Sequence, residues 1–251
     1  MVAVWRYCLL CAVFYCFIAN AQPLRVAVAT NFHPFAEQLA HTFTQQTGQP
    51  ITIAAGASGA LYAQILHGAP YDLFLSADSI RPQKLEQQGM TVAGSRYTYL
   101  VGQLAIWSTN DLPVDTSPLA LKKWFTNGEP LVVANPKLAP YGIAAMQVLQ
   151  HVGIDVAVTS VPLVTANNVM QAMQFIASGN ATRGFVADHL IANRSQSVLI
   201  PPQFYAPIEQ QMVILKRTQL PVIAAEFAQF VRANALSSLT SVPDGVDDGQ
   251  P

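Results

Sequence analysis

Four short stretches set small, hydroxyl or amide residues just ahead of a helical pattern. They are Thr30-Asn31, Gly56-Ala57-Ser58-Gly59, Pro140-Tyr141-Gly142 and Asn167-Asn168-Val169. A helix start exposes main-chain N–H groups that have no partner within the helix, and it carries a partial positive charge. Several starts aimed at one place would cage an anion with neutral donors. Ser, Thr and Asn are also favoured as ordinary caps, which explains any one of these stretches alone. The agreement of four favours the cage.

Ser58 has a second reading. Gly56-Ala57-Ser58-Gly59-Ala60 nearly spells the nucleophile elbow Gly-x-Ser-x-Gly, with Ala60 in the last place. A secreted serine hydrolase would also need an acid and a downstream His. His151 and His189 both follow. His151 falls at the end of its helical pattern, where an imidazole is favoured by the dipole alone. His189 follows Asp188, which is placed to cap what comes after. The five histidines are scattered with no zinc-ligand spacing, and no Gly-Lys-Ser/Thr phosphate loop is present. Tyr97, Tyr99 and Trp107 read as core or interface residues rather than a base-stacking platform.

These residues need elements to hold them. Leu24–Ala29 reads as a strand, and Phe35, Leu39 and Phe43 recur at helical spacing up to Gly48. Ile51–Ala54 is a second strand, followed by a helix from about Gly59 to His67 with Gly68 as its stop. Leu73–Leu75 is a third strand. This β-α-β-α-β order predicts a parallel, doubly wound sheet. A second series follows: a long strand Tyr99–Trp107, a strand Leu131–Ala134, a helix from about Gly142 to Val152, a helix marked by Val169, Ala172, Met173 and Ile176, and a strand Gly184–Ala187. Gln211–Leu215 then reads as a strand and Ala224–Ala235 as a helix. No Gly/Ser linker separates the two series. The reading is therefore an α/β chain of two doubly wound lobes joined by strands that cross between them, Tyr99–Trp107 and Gln211–Leu215. Residues 22–98 and 211–251 are assigned to lobe one and 99–210 to lobe two. The tail from 243 to 251, rich in Gly, Pro and Asp, is expected to be disordered.

The amino terminus bears on compartment. Arg6 precedes an apolar run from Tyr7 to Ile18, and Ala19-Asn20-Ala21 fits a small-x-small cleavage signal. Residues 1–21 are expected to be a signal peptide removed on export to the periplasm. All three cysteines lie in that segment, so residues 22–251 carry no thiol. None of them sits in a lipoprotein-type sequence. The chain is 51% hydrophobic and 11% charged with a formal charge of −1, which suits a well-buried α/β core and not disorder. Basic residues are few and unclustered, so no nucleic-acid partner is expected. A monomer without a cofactor is expected.

At the four junctions the chain resembles the periplasmic molybdate-binding proteins of ABC transporters. The most specific stretch runs from Gly59 to Asp78 and includes Gly68-Ala69-Pro70 and Asp72-Leu73-Phe74-Leu75-Ser76-Ala77-Asp78. Asn135-Pro136 with Pro140-Tyr141-Gly142, and Ala166-Asn167-Asn168-Val169, carry the rest. The resemblance implies a type II periplasmic binding fold, with two α/β lobes closing on a ligand. It implies oxyanion contacts from Thr30, Asn31 and Ser58 in lobe one, and from the main-chain N–H groups of Tyr141 and Val169 in lobe two. Many members have Tyr after Gly-x-Val and use its hydroxyl. This chain has Ala187 there, and Asn31 fits as the replacement. Molybdate is a tetrahedral dianion with no proton, so a pocket of donors satisfies it. Hydrogen phosphate would leave its O–H without an acceptor. The resemblance thus implies a molybdate and tungstate receptor serving a membrane permease. A receptor for sulfate, thiosulfate or another small oxyanion is the alternative.

Overall fold

The computed structural model describes residues 22–159, 161–191 and 194–240. The expected signal peptide and the tail from 243 lie outside them. Strand β1 (Leu24–Ala29) is almost wholly buried, as a near-continuous apolar run requires when both faces of a parallel strand are covered. A short 3₁₀ turn (Thr30–Phe32) leads into α1 (His33–Thr47), which buries Phe35, Leu39 and Phe43 on the face their spacing predicts. Strand β2 (Ile51–Gly56), helix α2 (Ser58–Leu66), strand β3 (Leu73–Leu75) and helix α3 (Ile80–Gln87) follow. Helix α3 has no counterpart in the sequence reading. Its sequence is mostly polar, and it buries only Pro82 and Leu85.

The expected long strand over Tyr99–Trp107 is two strands, β4 (Tyr97–Gly102) and β5 (Leu104–Ser108), in different sheets. The break falls at Gln103, whose carbonyl oxygen accepts from Asp188 N–H at 3.0 Å, while Leu104 N–H donates to the Tyr205 hydroxyl at 3.0 Å. Both bonds go to partners of the second sheet's half and end the pairing of β4. Helix α4 (Pro118–Phe125), strand β6 (Leu131–Ala134), helix α5 (Pro140–His151), strand β7 (Leu163–Ala166), helix α6 (Val169–Ala177), strands β8 (Arg183–Ala187), β9 (Ser197–Leu199) and β10 (Ile208–Ile214), and helix α7 (Pro221–Thr240) complete the order.

The described residues form two mixed sheets of five strands, ordered β2-β1-β3-β10-β4 and β7-β6-β8-β5-β9. In the first, β2 and β3 run parallel to β1, and β10 runs antiparallel to β3 and β4. In the second, β7 and β8 run parallel to β6, and β5 runs antiparallel to β8 and β9. The same plan therefore appears twice without a sequence repeat. Helices cover the sheets, and α7 returns to pack on α1 through Phe43 against Phe227 and Phe230, with ring centroids 5.2 and 5.5 Å apart. The chain passes from the first sheet to the second at Gln103 and is back in the first by Ile208, so Gln211–Leu215, expected to cross between the lobes, does not cross: β10 pairs with β3 and β4 of the first sheet. One glycine is forced by this packing. A Cβ at Gly142 would overlap the carbonyl oxygen of Ala134, so only glycine lets α5 lie this close to the end of β6.

Candidate functional site

All four donor-rich junctions lie beyond the carboxyl ends of parallel strands. The Thr30 turn follows β1, α2 follows β2, α5 follows β6 by way of a loop, and α6 follows β7. That edge is where open α/β sheets bind ligands. Capping accounts for one of the four. Asn168 is the N-cap of α6, and its side chain accepts from Gln171 N–H at 2.9 Å. At the other three the N-cap is alanine: Ala29, Ala57 and Ala139, none with a side-chain cap. Thr30 and Ser58 sit one place inside the turn or helix instead. No side-chain cap covers the N–H groups at these three starts.

The structure brings the four together. Gly59 N–H donates across the cleft to the Leu138 carbonyl at 2.8 Å, joining the start of α2 to the loop ahead of α5. Helix α6 packs against the Thr30–Phe32 turn. The His189 Nε2 atom lies 2.9 Å from the Asn31 carbonyl oxygen. Tyr141, at the start of α5, places its hydroxyl 3.3 Å from the amide nitrogen of Gln210 on β10. The other end of that amide is 2.7 Å from Asn31 Nδ2. Asn31, Ser58, Tyr141 and Val169 are at most 3% exposed, and Thr30 is half-buried.

The chemistry of the site is that of a set of donors. The Ser58 hydroxyl oxygen accepts from Ala77 N–H at 2.9 Å, which leaves its proton to donate. The acid beside it, Asp78, is paired with Arg81, which spans the cleft to the Lys137 carbonyl at 3.5 Å. Burial pushes the Tyr99 and Tyr141 phenols well above their ordinary value, with neighbouring tyrosines and Asp78 or Asp188 adding to the shift. Both stay protonated. Among the described residues no group of three or more His, Cys, Asp or Glu could hold a metal ion, and no helix is long and apolar enough to cross a membrane.

The geometry does not favour the nucleophile-elbow reading of Ser58. That elbow is a sharp, strained turn. Here Ala57 has ordinary extended angles, φ −63 and ψ 139, and no non-glycine among the described residues has a positive φ. His151 stacks on Phe204 with centroids 4.1 Å apart. Asp188, expected to cap, is the first residue of a 3₁₀ turn whose N-cap is Ala187.

Gln210 is the residue that sequence reasoning missed. It is fully buried, and its amide reaches Asn31, Tyr99 and Tyr141. Its signal in the sequence was faint, because Gln210 stands between Glu209 and Gln211 and the strand shifts register between Gln210 and Gln211, so no clean alternation marks it as buried.

Comparison with known proteins places this geometry. A family model described as bacterial extracellular solute-binding protein matches residues 24–238. The chain is 39% identical over 216 residues to the molybdate-binding protein ModA of Rhodobacter capsulatus, covering 85% of this chain and 84% of that one. It is 42% identical over 204 residues to ModA of Azotobacter vinelandii, covering 79% and 80%. Among solved structures, the Azotobacter vinelandii periplasmic molybdate-binding protein superposes with a TM-score of 0.79 at 38% identity, covering 88% of this chain and 97% of that one.

Proposed function

Because the chain belongs to the family of bacterial extracellular solute-binding proteins, we propose that it captures molybdate, and tungstate with it, and hands the anion to the membrane permease of an ABC transporter. The observation that carries this reading is its 39% and 42% identity, over most of its length, to two proteins named molybdate-binding. The cleft supports it with physics. Thr30, Asn31 and Ser58 donate from the first lobe, and the main-chain N–H groups of Tyr141 and Val169 donate from the second. Asn31 supplies the donor that a tyrosine at the position of Ala187 would otherwise bring. A bare dianion satisfies these donors, whereas hydrogen phosphate brings a proton that finds no acceptor while Asn31 turns its –NH2 to the anion. The protein acts in the periplasm as a single chain without a cofactor, after losing residues 1–21 as a signal peptide. Its role is binding and not catalysis.

A thermal-shift panel with molybdate, tungstate, sulfate and phosphate tests the reading. A ligand at 100 times its dissociation constant adds about 2.7 kcal/mol of stability, a shift of several degrees for a chain of this size. Molybdate and tungstate are expected to give that shift. A clear shift with sulfate and none with molybdate would overturn the assignment in favour of a sulfate receptor.

A further inference from the structure

We propose that Gln210 is a positioning residue: the sense of its amide decides which end of the Asn31 amide meets the oxyanion. The inference rests on the cleft reading above. As the two amides stand, Asn31 Nδ2 donates to Gln210 Oε1 at 2.7 Å, and Gln210 Nε2 donates to the Tyr141 hydroxyl at 3.3 Å. The Tyr99 hydroxyl lies 3.2 Å from Gln210 Oε1 and 3.2 Å from the Ser76 carbonyl oxygen. Both of those oxygens only accept, and a phenol has one proton. Gln210 Oε1 is already served by Asn31, so the Tyr99 proton goes to Ser76, and the Tyr99 oxygen then faces Gln210 Oε1 with no proton between them. Gln210, Asn31, Tyr141 and Tyr99 are at most 5% exposed, so bulk water does not separate the two oxygens. In this sense one Asn31 N–H is held by Gln210, and the Oδ1 end of the amide is the end turned away from Gln210.

Turning both amides by half a rotation serves every group. The Gln210 –NH2 has two protons, one for Tyr99 and one for Asn31 Oδ1. Tyr99 then gives its proton to the Ser76 carbonyl, and Tyr141 gives its own to Gln210 Oε1. Burial keeps both phenols protonated, so both protons are present to be given. The Asn31 –NH2 is released to donate into the cleft. A bare dianion selects this second sense. A protonated oxyanion is served by the first, because its O–H meets the Asn31 oxygen. The relay thus supplies discrimination that cavity size alone does not.

Titration calorimetry with molybdate and with hydrogen phosphate, at a mildly alkaline pH where both are dianions, tests this in the unmodified protein and two variants. Gln210→Glu puts an accept-only group at the hub and holds Asn31 in the first sense. Its added charge weakens both dianions alike, so the ratio of the two affinities isolates the hydrogen-bond sense. The preference for molybdate is expected to fall about tenfold or more, the scale of one hydrogen bond to a charged group. Gln210→Met adds no charge and leaves Asn31 free to turn, and the preference is expected to fall partway. If Gln210→Glu does not fold, Gln210→Met decides. An unchanged preference in the folded variants, even with lower stability or uniformly weaker binding, overturns the relay. Failure of the unmodified protein to bind molybdate overturns the cleft reading instead.

Discussion

Ser58 has one lone pair committed to Ala77 N–H and its proton left to give, so its loss has two separable effects. Ser58→Ala is expected to weaken molybdate binding by about 10- to 100-fold, the range for a hydrogen bond to a charged group. It should also lower stability slightly, because Ala77 N–H loses a buried partner. Titration calorimetry reads the first and urea denaturation the second. Tyr99 and Tyr141 make a prediction about pH. Burial raises both phenols in the folded chain, so above the ordinary tyrosine value the unfolded chain releases protons that the folded one keeps. Stability is then fully present below about pH 10, the unperturbed tyrosine value, and falls as pH rises beyond it. Tyr141→Phe should flatten that fall in a pH series of melting temperatures, and it should also weaken molybdate binding, because Gln210 loses the proton that the Tyr141 hydroxyl gives it in the sense molybdate selects. Residue by residue, legibility in the sequence followed locality. Thr30, Ser58 and Val169 stand out because a small residue or an uncovered helix start is a local feature. Gln210 did not, because its partners Asn31, Tyr99 and Tyr141 lie 179, 111 and 69 positions away.

The helix starts divide into one that is capped and three that are not, and the two kinds should respond differently. Asn168 caps α6 with its own side chain, while Gln171 reaches back to Asn167 N–H at 2.6 Å. Asn168→Ala is expected to cost about 1 kcal/mol in urea denaturation. Val169 N–H remains in place, so molybdate binding should weaken only through looser positioning of the helix. A loss of binding as large as that of Ser58→Ala would instead put the Asn168 side chain among the ligand contacts. Elements with a clear period were visible beforehand: β1, α1, β2, α2, β3, β6 and α5 lie close to where the sequence reading put them. The run over Tyr99–Trp107 was misread as one strand because its β-rich composition continues across Gly102 and Gln103. Which sheet a strand joins is settled by partners such as β10 and β8, far off in the chain. Helix α3 was missed for the opposite reason, as its face toward the core is too narrow to leave a period.

At the scale of the molecule the question is what holds the two sheets' halves together over the cleft. Three contacts cross it at its rim: Gly59 N–H to the Leu138 carbonyl at 2.8 Å, Arg81 to the Lys137 carbonyl at 3.5 Å, and His189 Nε2 to the Asn31 carbonyl at 2.9 Å. The polypeptide crosses between the sheets at Gln103 and again ahead of β10, and a closing motion of the two halves would turn about these crossings. Gly59 lies at the first of these contacts. A Cβ there would stand 3.0 Å from the Leu138 Cα, its carbonyl oxygen and an Arg81 nitrogen. The arginine can swing away, but the Leu138 backbone can move only with its whole lobe. Gly59→Val should therefore be compatible with the open form and opposed to the closed one. Its ligand-free melting temperature is expected to stay near that of the unmodified protein. Molybdate affinity should fall, because the donors of Tyr141 and Val169 no longer reach an anion held by Ser58. Small-angle scattering separates this from a local defect at the helix start. Molybdate should shrink the radius of gyration of the unmodified protein and leave that of Gly59→Val unchanged. A variant that compacts normally yet binds weakly would place the fault in the donors of α2, and closure through Leu138 would then not be what completes the cage.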